Sequence, residues 1–341
     1  MRAPKQGILY QEKLIAPKAY VKFSTPADAA KYRAERLKCN CIAEIGAGIG
    51  GQTIALAKTC KKVIAVESNA EMFEILKKNI EILWLKNVEL ILGDALSEPV
   101  IDKIKKAKPD IVFCDTERPE KGKRSIDDLK PDIWKLIEKY SEITDKLVIE
   151  VPPFTNDLNR LKEDYEKEFI SSFGELNRLT LYFNKLKKTE RSVVSLPSKA
   201  RLEQRGGIKK AELAETASIF SYLYTINPAI PIAELMSELA SELKYKAKII
   251  EMNKKFYFLS KEKLESSFIV AYKILDVTEN NFDKILESLR KLDAKSVVIR
   301  YSIPPLEYWN ERKRYESKLS GKKKIHLFAN NEAILCESLS Y

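Results

Sequence analysis

The stretch Ala43-Glu44-Ile45-Gly46-Ala47-Gly48-Ile49-Gly50-Gly51-Gln52-Thr53 decides the fold. It follows an apolar run that predicts a strand, and it precedes a segment that predicts a helix. Gly46, Gly48 and Gly51 satisfy the pattern GxGxxG, in which glycine permits a tight turn and lets a ligand approach the backbone. Folds that bind dinucleotides and folds that bind S-adenosylmethionine (SAM) both use this turn. The stretch therefore predicts a Rossmann-like unit that binds a nucleotide-containing cofactor.

Strand and helix patterns alternate after this stretch. Short apolar runs alternate with amphipathic segments, which predicts a parallel sheet covered on both faces. The predicted strands are 41–45, 62–66, 88–92, 110–114 and 146–151, and the predicted helices are 51–60, 69–83, 97–106, 130–140 and 157–167. Two further strands, Leu179–Asn184 and Arg191–Leu196, are joined by a short basic connection that predicts an antiparallel hairpin. The fold class is therefore α/β, with the seven-stranded Rossmann-like sheet of class I methyltransferases.

Three segments divide the chain. Residues 1–38 form a basic extension, in which Thr25-Pro26-Ala27-Asp28 predicts a helix that Thr25 caps. Residues 39–204 form the methyltransferase domain, and Gly206-Gly207 in a charged stretch predicts a linker. Residues 211–341 form a second, smaller α/β unit. Its predicted helices lie near 211–224, 231–243, 280–291 and 305–318, and its predicted strands lie near 246–251, 255–259, 268–276, 295–301, 324–329 and 333–337.

Acidic residues stand at the ends of the first three predicted strands. Glu44 ends the first strand beside the turn, Glu67 closes the second, and Asp94 follows the third. These ends meet at one sheet edge, where open α/β sheets bind ligands. The first carboxylate can face the cationic amino-acid moiety that SAM has and NAD lacks; the others suit ribose hydroxyls and the adenine amino group. The predicted cofactor-binding residues are Glu44, Gly46, Gly48, Gly50, Gly51, Thr53, Glu67 and Asp94.

Asp115 ends the fourth strand, at the edge position that faces the transferable methyl group. In many amino-methyltransferases this position begins a [DN]-P-P-[FYW] motif that holds an exocyclic amine. The run here is Asp115-Thr116-Glu117-Arg118-Pro119, without an adjacent proline or an aromatic residue. Val151-Pro152-Pro153-Phe154 ends the fifth strand and can supply an apolar wall and a stacking ring. The predicted catalytic residues are Asp115, Pro152, Pro153 and Phe154.

The net charge of +11 is concentrated in three segments. Residues 1–38, 181–210 and 311–324 carry +6, +7 and +5, which leaves −7 for the remainder. Basic segments on an otherwise acidic body indicate a polyanion-binding surface, although three unrelated solvated faces are the alternative. The predicted nucleic-acid contacts are Arg118, Lys121, Lys123 and Arg124 after the fourth strand, and Lys185, Lys187, Lys188 and Arg191 in the predicted hairpin.

The residue inventory excludes several classes of protein. With His326 as its single histidine, the chain cannot build a His-rich metal site, and no metal site is predicted. Five cysteines without a CxxC pair argue against a disulfide scaffold and favour buried, inert thiols. No apolar run approaches the ~20 residues of a membrane helix, and the first residues contain no apolar signal region. We therefore expect a cytoplasmic protein without membrane contact.

With these residues identified, the chain resembles class I SAM-dependent methyltransferases that carry a C-terminal THUMP-like domain. The cofactor segment also resembles the trimethylguanosine-synthase group, which methylates guanine N2 in RNA. The residues that carry the resemblance are Thr25-Pro26 with Tyr32–Arg36, Gly48–Gly51 with Thr53, Asp115 with Arg118 and Arg124, Ala217–Tyr224, Asn227-Pro228 and Phe268–Leu275. The resemblance implies SAM as cofactor and RNA (tRNA or rRNA) as substrate, with a base nitrogen such as guanine N2 as acceptor.

Other functions remain open at this point. Because Thr116 and Glu117 interrupt the acceptor motif, an RNA-binding protein that binds SAM without catalysis is one alternative. A protein methyltransferase is a second alternative. A dinucleotide oxidoreductase would need a proton relay that the chain does not offer, and aminopropyl transfer to a polycation does not suit a basic surface.

Overall fold

The structure is a computed structural model that describes residues 14–21, 25–117 and 125–339. The chain divides into two units, Met1–Gln204 and Arg205–Tyr341, and each is built around its own β-sheet. The division falls directly before Gly206-Gly207, where both the helix and the strand patterns stop.

Nine strands form the sheet of the first unit. They are β1 Cys41–Ile45, β2 Lys62–Glu67, β3 Val88–Leu92, β4 Ile111–Asp115, β5 Leu147–Val151, β6 Tyr165–Ser172, β7 Glu175–Phe183, β8 Arg191–Leu196 and β9 Ala200–Glu203. Their order across the sheet is β3-β2-β1-β4-β5-β7-β6-β8-β9. The first five are parallel, and β7 pairs antiparallel with β5. This arrangement confirms the predicted Rossmann-like α/β class, with the unpredicted strands β6 and β9 extending the predicted seven strands to nine.

Helices alternate with the parallel strands, as predicted. They are α1 Lys18–Val21, α2 Ala27–Arg36, α3 Thr53–Ala57, α4 Ala70–Ile82, α5 Glu98–Ala107 and α6 Ile133–Ser141. Side chains satisfy the free amides where two of them begin: the Asn69 carbonyl oxygen accepts a hydrogen bond from the Met72 amide, and Asp132 accepts one from the Lys135 amide. Strands β1, β2, β4 and β5 are buried along nearly their whole length, as expected when both faces of a sheet are covered.

The predicted helix at 157–167 is wrong. The chain forms a short 3-10 turn, Leu158–Arg160, and then enters β6. Glu166 and Glu168 are charged side chains of a kind that predicts a solvated helix, yet both are fully buried on one face of the strand. They are held there by arginine side chains of α2 and β9, which lie far from them in the sequence. Because these arginines lie outside the local sequence, the pattern of residues 157–167 cannot predict that the two glutamates are buried.

The predicted hairpin of 179–184 with 191–196 is also wrong. Strand β7 follows β6 through a two-residue turn at Phe173-Gly174, and β8 pairs with β6 in parallel. Both strands exist, but their partners differ. Because β7 runs antiparallel to β5, the connection 184–190 lies at the edge where the parallel strands begin.

Helix α2 is present, but Thr25 does not cap it. Pro26 occupies the N-cap position without a side-chain hydrogen bond, and the Thr25 hydroxyl donates to Oδ2 of Asp115 at 3.5 Å. The helix packs into the main core of the first unit, together with Phe113 and Val148 of the central strands.

A seven-stranded sheet forms the second unit. Its strands are β10 Tyr222–Ile226, β11 Lys248–Met252, β12 Lys255–Ser260, β13 Ile269–Glu279, β14 Ala294–Ile299, β15 Lys323–Ala329 and β16 Glu332–Ser338, in the order β11-β12-β10-β13-β16-β15-β14. Its helices are α7 Ala229–Ile232, α8 Met236–Glu242, α9 Phe282–Lys291 and α10 Tyr308–Glu316. The predicted helix at 211–224 is wrong, because Leu213 bridges to Ile249 and β10 begins at Tyr222. The THUMP-like character of this unit stays a prediction.

Candidate active site

One cavity lies at the carboxyl edge of the parallel strands of the first unit. Its wall includes Glu44 of β1, Asp115 of β4 and the glycine turn between β1 and α3. Ligands of open α/β sheets bind at this edge. The predicted cofactor turn and the predicted acceptor carboxylate therefore lie in one place.

Gly46 allows the turn to approach β4. Its φ is +78°, and a Cβ atom there would lie 2.5 Å from the carbonyl oxygen of Asp115. The amides of Gly46 and Ala47 both donate to the Val66 carbonyl at 3.0 Å. The turn is thus fixed between β2 and β4, and any side chain at position 46 would push it away from β4.

Glu67 joins the glycine turn to the end of β2. One carboxylate oxygen accepts the Gly48 amide at 2.7 Å, and the other accepts the Asn69 amide at 2.8 Å. Each carboxylate oxygen has a second lone pair, so the group can still accept ribose hydroxyls. Glu67 therefore holds the turn in place, and its contact with the ribose stays a prediction.

Glu44 is a buried carboxylate that faces the cavity. Only 1% of its surface is exposed, and its Oε2 has no hydrogen-bond partner among the described residues. Burial raises the pKa of Glu44 to about 8, and the neighbouring Thr53 and Arg33 oppose this rise. A buried carboxylate without a partner is costly, and a cation offsets that cost. The site therefore fits a cofactor with a cationic amino-acid end, as SAM has.

The other predicted cofactor residues have different surroundings. Gly51 lines the cavity. Thr53 is fully buried beside Glu44, and Gly50, with φ of +99°, lets the turn pack on Leu76 of α4. Asp94 follows β3 at the same sheet edge, and its Oδ1 accepts the Leu96 amide at 2.9 Å. Thr53 and Gly50 thus shape the turn rather than line the cavity.

Asp115 is the accessible carboxylate of the cavity. Its side chain is 20% exposed, and Nη1 of Arg178 on β7 lies 4.0 Å from Oδ1. Thr116, which stands where the motif has proline, donates its hydroxyl to the Glu150 carbonyl at 2.8 Å. The backbone of β4 thus continues one residue further along β5, and Asp115 stays at the cavity wall.

A chain of buried charges that the sequence analysis missed lies behind Asp115. Arg33 of α2 pairs with Glu150 of β5, and Glu150 also pairs with Arg178. Arg33 further donates to Oε1 of Gln52 at 2.7 Å. All four side chains are at most 5% exposed. A charged residue within the apolar run of β5 is the only local signal of this network.

Pro152, Pro153 and Phe154 follow β5 directly at the carboxyl edge of the sheet, but they are not among the residues that line the cavity. Pro152 is buried, and its carbonyl accepts the Thr155 amide at 3.0 Å, which makes a tight turn. The Phe154 ring is 53% exposed. Since Asp115 pairs with Glu150 in the sheet, the predicted wall and ring lie at the strand end next to it.

Two N-terminal residues line the cavity although no sequence pattern pointed to them. They are Tyr20 and Thr25. Asn79, which is fully buried on α4, holds the segment that carries Tyr20 in place by hydrogen bonds. Its side chain accepts the Ile15 amide at 2.9 Å, and it donates to the carbonyls of Ile15 and Ile49, both at 3.0 Å. Asn79 thereby joins this segment to the glycine turn.

The four predicted basic contacts between residues 185 and 191 are not brought to the cavity. Lys185, Lys187 and Lys188 lie in the connection at the opposite sheet edge, and Arg191 begins β8 there. Lys185 pairs with Asp145 at 2.6 Å, and Lys187 binds Asp164 and Glu190. Arg118, Lys121, Lys123 and Arg124 lie outside the described residues.

The described ranges contain neither a cluster of metal-ligating side chains nor a helix suited to a membrane. In 14–21, 25–117 and 125–339, no group of three or more His, Cys, Asp or Glu side chains could hold a metal ion. No helix within those ranges is long and apolar enough to cross a membrane.

The chain is also similar in sequence to known methyltransferases. The chain is 48% identical over 65 residues to the probable ribosomal RNA small subunit methyltransferase A of Methanosphaera stadtmanae, covering 18% of this chain and 24% of that protein. It is 36% identical over 67 residues to the probable cobalt-precorrin-6B C(15)-methyltransferase (decarboxylating) of Methanocaldococcus jannaschii, covering 20% and 36%. The chain thus spans about a quarter to a third of the length of these curated relatives.

One solved structure shares the fold over nearly the whole chain. It is a methyltransferase from Porphyromonas gingivalis W83, with a TM-score of 0.75, 18% identity, and coverage of 95% of this chain and 83% of that chain. The sequence model of one family matches residues 39–287, or 249 of the 341 residues. The chain therefore belongs to the RNA cap guanine-N2 methyltransferase family, with the fold of class I SAM-dependent methyltransferases.

Proposed function

We propose that the protein transfers a methyl group from SAM to an exocyclic amine of an RNA base, such as guanine N2, in tRNA or rRNA. One observation carries this proposal: a buried carboxyl group with one unpartnered oxygen, Glu44, and an accessible carboxylate, Asp115, face the same cavity across the glycine turn. The first suits the cation of the cofactor, and the second suits an amine that must be oriented and deprotonated. A family with RNA substrates supports the choice of acceptor.

The cofactor would be held by the carboxyl edge of the sheet. Glu44 would face its amino-acid end, Glu67 its ribose and Asp94 its adenine, while Gly46, Gly48 and Gly51 let the backbone come close. Tyr20 would close the cavity from the N-terminal side. SAM supplies a methyl group that is activated by its positively charged sulfur, so the chemistry needs no histidine base.

The residues around Asp115 would then position the acceptor. Its carboxylate would accept a hydrogen bond from the amine and take up a proton late in the reaction. Phe154 would stack on the base, and Pro152-Pro153 would fix the wall next to it. Their task is to align the amine with the methyl group and to exclude water, which accounts for a large part of the rate in such reactions.

RNA would be bound by surfaces of both units. Arg118, Lys123 and Arg124, which follow β4 in the sequence, would contact phosphates near the acceptor. Lys185, Lys188 and Arg191 would form a second, more distant contact. The unit from 211 to 341 would be a THUMP-like RNA-binding domain, and the protein would act in the cytoplasm.

The test is transfer of labelled methyl groups from SAM to unmodified bulk tRNA and rRNA, followed by nucleoside mass spectrometry. We expect a labelled guanosine or another base labelled at an exocyclic amine. The Asp115→Asn variant should lose at least 100-fold in kcat, in the range of a lost general base. Asp102→Asn, on the exposed face of α5, is the matched control and should keep full activity.

Three other results would reject parts of the proposal. SAM binding without label in any RNA would favour the RNA-binding protein without catalysis. Label in protein instead of RNA would favour a protein methyltransferase. Full activity of Asp115→Asn would remove Asp115 from the mechanism.

A further inference from the structure

Phe173 occupies a turn position that does not suit it. The turn between β6 and β7 has two residues, Phe173 and Gly174, closed by the pair Ser172 and Glu175. Their φ angles are +50° and +76°. Two positive φ angles define a type I′ turn, in which Asn-Gly is favoured and a bulky residue at the first position is strained.

Packing does not compensate for this strain. The Phe173 side chain is 65% exposed, so burial of its ring contributes little to folding. A side chain that strains the backbone and stays in water points to a use outside the fold. The backbone around it is otherwise well fixed, since the Phe173 amide donates to the Leu196 carbonyl at 3.2 Å.

The turn lies at the same sheet edge as the candidate active site. Strand β6 runs antiparallel to β7, and β7 runs antiparallel to β5, so β6 and β5 end at the same edge. The sheet order places only β7 between them. The register places the end of β5, Val151, level with Phe169 of β6, and it places Asp115 level with Glu168, so the turn extends four to five residues beyond those strand ends. At ~4.8 Å per strand and ~3.3 Å per residue, Phe173 lies roughly 16 Å from the end of β5 and roughly 22 Å from the end of β4. Phe154 follows β5, and Asp115 ends β4.

An exposed ring at this distance suits an unpaired nucleobase. Proteins that recognise single-stranded RNA stack its bases on aromatic side chains, and this stacking tolerates any base. The net charge of +11 attracts the phosphates. Lys199, in the neighbouring turn after β8, pairs with Glu35 at 2.6 Å, and both side chains are about half exposed. A phosphate can displace such a weak surface pair.

We propose that Phe173 is a stacking platform for an unpaired RNA base that lies a few nucleotides from the acceptor on the same strand. Single-stranded RNA would cross the carboxyl edge from Asp115, past Phe154, to the turn between β6 and β7. This inference rests on the proposed function, because it needs an RNA substrate at Asp115. It adds that the substrate is single-stranded from the acceptor to that base.

Trp84 provides a matched control within the same unit. It is 81% exposed and also has a positive φ, of +52°. It follows α4, which starts after β2 and ends before β3, so Trp84 lies at the opposite sheet edge. Asparagine suits the left-handed conformation at both positions better than an aromatic residue does.

The experiment compares Phe173→Asn and Trp84→Asn with the wild type. The substrate is the unmodified form of the RNA that becomes labelled in the methyl-transfer assay. Both variants should be as stable as the wild type or melt at a slightly higher temperature, because both relieve backbone strain. Phe173→Asn should raise KM for RNA about tenfold, in the range of one lost stacked base, and it should bind SAM as the wild type does. Phe173→Tyr should restore KM, and Trp84→Asn should leave it unchanged.

The outcomes separate this inference from the proposed function. If the wild type labels RNA and Phe173→Asn has an unchanged KM, the inference is wrong and the proposed function stands. An equal rise in KM for both asparagine variants also contradicts the inference, because the loss of any exposed aromatic ring would then weaken RNA binding. If the wild type labels protein or nothing, the proposed function fails, and the stacking platform fails with it.

Discussion

Replacing Glu44 by glutamine tests whether Glu44 is protonated in the protein without cofactor and loses its proton when SAM binds. In the structure the pKa of Glu44 rises from its ordinary value of 4.5 to about 8, chiefly because burial disfavours the charged form. Thr53 and Arg33 lower the pKa, whereas Asp115 and Glu67 raise it further. The folded protein without cofactor therefore keeps a proton on Glu44 at neutral pH.

The sign of the stability effect follows from proton linkage. Between the unfolded pKa of 4.5 and the folded pKa of about 8, only the folded state holds this proton. Stability from Glu44 is thus fully present below the lower pKa and is lost as pH rises, by up to ~1.4 kcal/mol per pH unit. From pH 5.5 to pH 7.5 the wild type should lose roughly 3 kcal/mol relative to Glu44→Gln, or about 6–12 °C in Tm.

The comparison with Glu44→Gln removes the contributions of other groups. His326 has the opposite slope, because burial lowers its pKa from 6.5 to about 4 and the unfolded state then binds the extra proton. That contribution is the same in both proteins and cancels. Thermal melts of both at pH 5.5, 6.5 and 7.5 without SAM give the difference directly. Glu74→Gln, on the exposed face of α4, should behave as the wild type.

Cofactor binding should reverse the protonation of Glu44. A cationic group beside the carboxylate favours its charged form, so SAM should release close to one proton at pH 6.5. Calorimetry in two buffers of different ionisation enthalpy measures this number, which should be near zero for Glu44→Gln. SAM affinity of the wild type should also strengthen by up to tenfold per pH unit from pH 6 to 7.5. Equal proton release by both proteins would refute the reasoning.

Two further predictions concern residues outside the catalytic groups. Asn79→Leu should weaken SAM binding about tenfold, because it releases the segment that carries Tyr20. Asn87→Leu is the control: it also breaks two side-chain hydrogen bonds to carbonyls, but it should lower Tm without weakening SAM binding. Equal SAM affinities of the two variants would show that Asn79 only stabilises the fold. Oxidation by glutathione disulfide should form a disulfide between Cys39 and Cys60, whose sulfurs lie 3.8 Å apart, and should raise Tm by several degrees. Peptide mapping would detect the disulfide, and thermal melting would measure the change in Tm. A disulfide between either cysteine and glutathione alone would contradict this prediction.

The parallel half of the first unit was predictable because its signals are local. Each of its five strands is a short apolar run, and each bound of the predicted strands lies within one residue of the structure. The glycine turn and the acids at positions 44, 67 and 94 follow from strand ends, and strand ends follow from the same runs. In a parallel sheet all those ends meet at one edge, so local patterns also place the site.

The antiparallel half was not predictable, because its stability comes from partners that are distant in the sequence. Glu166 and Glu168 belong to a strand only because Arg36 and Arg201 neutralise them there. Without those partners, two buried glutamates on one strand would be prohibitively costly, and a solvated helix face is the better local interpretation. The pairing of β7 with β6 instead of β8 decides which turn lies beside the site.

The same reasoning limits what net charge says about RNA binding. Arg33 and Arg36 contribute to the positive charge of 1–38, but both are buried against carboxylates of the sheet. Lys187 is 14% exposed and binds two carboxylates, so it has little capacity left for a phosphate.

Lys188 differs from these residues, because its side chain is exposed. It lies at the sheet edge opposite Asp115. A surface that binds RNA for catalysis must instead share the edge of the acceptor carboxylate. For this unit, the exposed rings at that edge are therefore better indicators of the RNA path than the segments with the highest charge.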